Sequence, residues 1–240
     1  MAELAVTGVD ACARGWVAVT LGPGEAVRIA VAATLDDLPL AGVTGIDMPL
    51  GLLAAGWRDA DLLARRALGR RGVTVFAIPP RPVWDCDSYA EASGLCRELT
   101  GKSFSVQAWG LRRKIAEADA YRRRAAACWR PAAALGGPSP GPGSDGVQLY
   151  EVHPELSFAT LAGAPLADSK HTPAGLAVRR DLLAGAGIAL PPRVPGAAEN
   201  DLLDAAAVAW SARRIAAGQA VLLANPAQRA DDGAEIAIRY

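Results

Sequence analysis

Cysteine is scarce in this chain and poorly placed for metal binding. The four residues, Cys12, Cys86, Cys96 and Cys128, form no CxxC pair, and no histidine stands near two of them. That argues against a zinc site and, in a chain of 240 residues, against a disulfide framework. Long apolar runs are missing too: no stretch is long enough to cross a bilayer. The N-terminus lacks a basic start, apolar run and cleavage site, so a cytoplasmic location with no membrane partner is expected. Excess charge of either sign is absent, 25 basic residues facing 25 acidic ones, which rules out a strongly cationic nucleic-acid coat.

What is present is a core. Half of the residues are hydrophobic (51%), enough for one large domain. The basic charge is nearly all arginine and is clustered in six runs: Arg65-Arg66, Arg70-Arg71, Arg112-Arg113-Lys114, Arg122-Arg123-Arg124, Arg179-Arg180 and Arg213-Arg214. Each run alone reads as a solvated helix face. Together they favour a phosphate-bearing partner, because guanidinium groups make paired contacts to phosphate.

Short apolar runs predict strands over residues 4–10, 15–21, 27–32, 43–47 and 147–153. Thr34 reads as the cap of a short helix over 35–38. Helical patterns follow at 58–68, 88–99, 105–128, 154–161, 172–183 and 200–217. Residues 73–78 form a short apolar stretch before a proline-rich loop, and 136–146 (GGPSPGPGSDG) reads as a flexible segment. Three strands in hairpin order exclude a plain Rossmann fold. The order suits an α/β protein with a mixed sheet and helices on both faces. Residues 50–146 exceed what a strand connection needs. They are expected to form a mainly helical insertion within a single domain, carrying arginines and Lys102 over the site.

Acids stand where a sheet and its covering helix converge. Asp10 ends the first strand and Asp47 the fourth; Glu151 lies in the late strand. Asp201 and Asp204 share a face of the last helix. Gathered carboxylates repel one another unless a cation joins them. Hard oxygen ligands select Mg²⁺ or Mn²⁺, which activate water and stabilise a leaving oxygen in phosphodiester cleavage. Asp10, Asp47, Asp201 and Asp204 are the candidate metal ligands. Each acid also has a plain alternative: a turn cap for Asp10 and Asp47, a dipole interaction for Asp201. Asp204 is harder to explain away, since it sits inside the apolar run LLDAAAVAW.

His153 lies two residues after Glu151, on the same sheet face if the strand persists. It reads as a ligand, a general acid or base, or a partner of a carboxylate. His171 reads as an exposed loop residue. Thr100-Gly101-Lys102-Ser103 is not a phosphate loop, because the leading glycine of that motif is missing. Lys102, Ser105 and Gln107 at a helix start, with Arg70, Lys114 and Lys170, remain candidates for holding substrate phosphate. Ser105 serves equally well as a helix cap.

Several stretches together resemble the domain of unknown function 429 family, described as ribonuclease-H-like nucleases: GVDACARGWVAV, GIDMPLGL, ARRALGRRGVTVF, TGKSFSVQAWGLRRKIAEAD, YEVHPELSF, SKHTPAGLAVRRDLL and NDLLDAAAVAWSARRI. The resemblance implies a five-stranded sheet whose first three strands are antiparallel. It places catalytic acids at Asp10, Asp47 and Asp204; Glu151 and His153 are further catalytic candidates on the strand reading above. It implies a metal-dependent nuclease with DNA or RNA as partner. Asn200 stands where the family often has a second aspartate. The alternatives are a nucleotide-phosphate enzyme of the actin-like or sugar-kinase type and a catalytically inactive nucleic-acid-binding protein. The kinase type would need a glycine-rich hairpin after Asp10, where this chain has Ala-Cys-Ala-Arg. The oligomeric state is open, with a homodimer as one option.

Overall fold

The computed structural model describes residues 5–40, 42–128 and 146–240. Apart from Gly146, the glycine- and proline-rich segment 136–146 lies outside the described residues, as does Leu4. Strands β1 (Val6–Cys12) and β2 (Gly15–Leu21) form a tight hairpin turning on Ala13-Arg14, and β3 (Val27–Ala32) adds antiparallel to β2. Strand β4 (Val43–Ile46) pairs parallel to β1, and β5 (Gln148–Val152) parallel to β4. The first three strands are therefore antiparallel, as expected.

The sheet has seven strands rather than five. After the last long helix the chain returns as β6 (Leu222–Arg229) and β7 (Glu235–Arg239), giving the order β3-β2-β1-β4-β5-β7-β6. The sequence of β6, LLANPAQR, hides this strand. Its register jumps between Ala224 and Arg229, and Pro226, which lacks an N–H, falls inside the irregular stretch. Its polar residues bond to the neighbouring chain instead: Asn225 donates to Asp59, and Gln228 to the Trp57 carbonyl.

The described residues form seven α-helices: α1 (Asp59–Leu68), α2 (Tyr89–Thr100), α3 (Val106–Gly110), α4 (Arg112–Cys128), α5 (Pro154–Ala162), α6 (Pro173–Gly185) and α7 (Glu199–Ala216). The single helix expected over 105–128 is broken at Leu111, after Gly110. The expected helix near 35–38 is a 3₁₀ turn, Leu35–Asp37. The apolar stretch at 73–78 begins in the 3₁₀ turn Gly69–Thr74 and continues as extended chain.

Helix α7 lies directly on β1, β2 and β4. The contact is close because small residues meet there. A Cβ on Gly8 would stand 2.0 Å from the Ala209 nitrogen and 2.2 Å from the Ala205 carbonyl, and one on Gly45 would stand 2.8 Å from Val208. Val17, Val19 and Leu21 complete this core with Leu202, Leu203 and Ala206. On the opposite face Val9, Trp16, Ala18 and Ile46 pack against Ile115 and Ala118 of α4. Glu117 of α4 is pinned there by the Trp16 indole N–H at 2.9 Å and the Leu35 amide at 2.8 Å. The described residues of 50–146 thus do not form one lid over the acids. Helix α4 covers the far face, and α1 packs on β6, β7 and α5. No helix among the described residues is long and apolar enough to cross a membrane.

Candidate metal centre

Parallel pairing places Val9 opposite Ile46. The next residue on each strand is an aspartate, so Asp10 and Asp47 leave the sheet side by side. The Asp47 amide donates to the Val9 carbonyl at 2.9 Å and extends the ladder one residue past β4. Side chains alternate along a strand, and Gly8 and Gly45 face α7. Two residues on, Asp10 and Asp47 face the same way. There they meet Asp204, next to Ala205 on the contact line of α7. One carboxylate oxygen from each of Asp10, Asp47 and Asp204 lies within 4.8 Å of the other two.

Asp10 is 8% and Asp204 1% exposed, so little water offsets their mutual repulsion. Burial, then Asp47 and Asp204, hold the Asp10 carboxyl well above the usual aspartate range. Burial is also the largest influence on Asp47 and Asp204; it pushes Asp47 up to about 7, against the pull of Lys170. Lys170 is the cation present. Its Nζ sits 2.5 Å from Asp204 Oδ2. Burial alone would lower this ammonium, but Asp204, Asp47 and Asp10 carry it above its ordinary value.

Three carboxylates and one ammonium leave a charge of about −2, which one divalent cation neutralises. Asp204 Oδ1 is buried with no hydrogen-bond partner among the described residues, while Oδ2 is held by Lys170 and Asp10 Oδ1 accepts the Ala11 amide at 2.7 Å. An all-oxygen set with one orphaned buried oxygen fits a hard divalent ion.

Burial of these acids, with their mutual repulsion, has a measurable consequence. A free aspartate ionises near pH 4, about three units below Asp47. Between those limits Asp47 binds more protons in the folded chain than in the unfolded one, so its contribution makes stability fall as pH rises and levels off above about 7. Urea unfolding of metal-free protein from pH 4.5 to 8 should give this slope, and Asp47→Asn or added Mn²⁺ should flatten it. An equal slope in parent and variant would contradict the assignment.

The centre opens into a cavity of about 450 Å³. Asp201, Glu151, His153 and Lys170 line it, but not all serve the metal set. Asp201 accepts from Asn200 at 2.7 Å and from the Ala198 amide, which is the behaviour of a helix-start acid. Glu151, expected among the catalytic acids, stands apart from the triad. It pairs with Ile46 in register, so it points away from α7, and both of its oxygens are bonded at 2.6 Å to Arg58. Oε2 also accepts the Leu50 amide at 2.7 Å, which fixes the loop after Asp47. His153 escapes the strand alternation because β5 ends at Val152 and the histidine caps α5. Burial lowers its pKa.

Most of the expected phosphate-binding residues lie elsewhere. Arg70 and Gln107 are exposed and do not line the cavity, nor does Lys102, exposed after α2. Ser105 caps α3 by accepting the Ala108 amide at 3.1 Å. Lys114 stacks 4.2 Å above the Trp16 ring and pairs with Glu117. The arginine runs are largely absorbed internally: Arg122 and Arg123 hold Asp119, Asp231 and Asp232, Arg124 holds Asp36, and Arg180 holds Glu199. Asp61, Arg71, Thr74 and Phe76 also line the cavity without having been marked by the sequence, and His171, an exposed turn residue as expected, stands at its edge. Nothing in the run Gly69-Arg70-Arg71-Gly72 tells which arginine faces inward.

Fold and site together define a class: an α/β protein with a mixed, helix-covered sheet and a cluster of three aspartates that could hold a divalent cation. A family model described as protein of unknown function (DUF429) matches residues 8–229, and the chain belongs to that family. No curated protein and no solved structure matches the chain.

Proposed function

We propose that the chain is a metal-dependent phosphodiesterase acting on nucleic acid, with Mg²⁺ or Mn²⁺ held by Asp10, Asp47 and Asp204. The observation that carries this reading is the convergence of three aspartates on one buried point with one oxygen unpartnered. When bound, such an ion polarises a phosphoryl oxygen and makes a water nucleophilic near neutral pH.

The chain's residues do the rest. Lys170 holds Oδ2 of Asp204 and leaves Oδ1 without a partner among the described residues. The Ala11 amide orients Asp10. His153 lines the same cavity with Nδ1 unpartnered, and can hold or deliver a proton at that atom. The resemblance to ribonuclease-H-like nucleases supports the same reading, since it expects acids at these strand ends and on the last helix. The two-residue turn after β1 offers no glycine-rich phosphate hairpin, which weighs against a sugar-kinase-type enzyme. Free Cys12, Cys86 and Cys96 suit a reducing cytoplasm.

The test is to incubate purified protein and Mn²⁺ with branched, single-stranded and duplex substrates. Cleavage that disappears with chelator and in Asp10→Asn is the expected result. No Asp10-dependent cleavage of any of them refutes the reading and leaves a non-catalytic binding protein.

A further inference from the structure

The cavity holding the aspartates has a second wall that carries a guanidinium. Arg71, in the turn after α1, lines it with Thr74, His153 and His171. Arg71 is not used up by the fold. Its Nη2 lies 3.4 Å from Glu155 Oε2, a long contact, whereas Arg179 already holds the other oxygen of Glu155 at 2.5 Å. Nε of Arg71 and Nδ1 of His153 are buried without hydrogen-bond partners among the described residues. Glu155 joins the two walls, since its charge acts on both Asp47 and Asp204. The guanidinium beside it therefore belongs to the same field as the acidic centre.

The lining also has an apolar part that includes Met48, Phe76, Ile78 and Leu111. At about 450 Å³ the space is that of a pocket for one small ligand. A duplex keeps its bases stacked inside a rod much wider than this pocket. A single unstacked nucleotide offers a phosphate for a guanidinium and a flat base for an aromatic wall.

Resting on the phosphodiesterase reading, we propose that this cavity takes one nucleotide unit at a free strand end, with Arg71 as a substrate-binding residue that holds the phosphate. The Phe76 side of the pocket then receives the base. Arg71 supplies a forked donor in the cavity that the acids also line, so one bound phosphate can meet both.

The probe is thymidine 5′-monophosphate, titrated calorimetrically in the presence of Mn²⁺, alongside cleavage of a linear single strand and a closed circle of the same sequence. One nucleotide should bind per chain. Arg71→Gln should weaken binding by about tenfold or more, the loss expected for a charged hydrogen bond. Arg70→Gln, exposed one residue away, should bind like the parent. Arg71→Lys keeps the charge without the fork and should bind between the parent and the glutamine variant, and both variants should keep the parent's Mn²⁺-induced rise in melting temperature, which separates lost binding from a folding defect. The linear strand should be shortened from an end and the circle left intact. Parent-like nucleotide binding in both Arg71 variants, or a circle cut as fast as the linear strand, overturns the proposal. Arg71-dependent binding with no Asp10-dependent cleavage of any strand would support the pocket and overturn the activity.

Discussion

Asp10→Asn is expected to abolish the stabilisation of the protein by Mn²⁺ and, with it, strand cleavage. A ligand at 100 times its dissociation constant adds about 2.7 kcal/mol to a folded state that alone binds it. For a chain of this size that is about 5–11 °C of melting temperature. The variant loses one of three oxygen ligands and one unit of the charge that attracts the ion. It also loses a repulsive charge, because Asp10 is raised by burial, Asp47 and Asp204. At pH 7 without metal, the variant should therefore melt above the parent, and with metal below it. Melting curves over a Mn²⁺ series would show this crossing. Equal metal-induced shifts in the two proteins would remove Asp10 from the ligand set.

The largest loss of stability is expected from Arg58→Met. Arg58 is 1% exposed; its Nη2 lies 2.6 Å from both oxygens of Glu151 and 3.4 Å from Asp61. Removing it strands two buried carboxylates, and breaking a buried pair in this way costs about 3–5 kcal/mol. Nε and Nη1 of Arg58 lack partners among the described residues, so the arginine carries some penalty of its own and the lower end, about 3 kcal/mol, is the better figure. That corresponds to roughly 6–12 °C of melting temperature. Adding Glu151→Leu should recover part of the loss. Metal affinity should fall as well, because Glu151 anchors the Leu50 amide in the loop after Asp47. A drop below about 1 kcal/mol in denaturant unfolding would mean that the pair is effectively solvated.

The acidic centre was legible because each member announced itself locally. Asp10 and Asp47 each close an apolar strand run, and Asp204 interrupts an otherwise apolar helix face. Glu151 carried the same kind of signal and belongs to a different cluster. Its strand was identified, but the inter-strand register that pairs it with Ile46, and so turns it away from α7, is a three-dimensional property. The cationic side fared worst. Arginine runs look alike whether they meet phosphate or carboxylate, and here Asp119, Asp231 and Asp232 lie far apart in sequence from, or on other turns than, the arginines they hold. Strand β6 was invisible because Pro226 and the polar residues around it break the alternation that marks a strand. Lys170 was picked as a phosphate contact, and its nearest anion is instead Asp204.

The closeness of α7 to the sheet gives two glycines a share in the acidic centre, although neither has a side chain to offer. Gly8 and Gly45 set the gap between helix and strands, and that gap sets how far Asp204 stands from Asp10 and Asp47. The triad works like a vice whose jaws are a sheet and a helix, with the glycines as its thinnest shims. Thickening a shim by one methyl would spread the jaws without touching a ligand. The tolerances of the metal site are thus written into the hydrophobic interior, one pleat back from the chemistry.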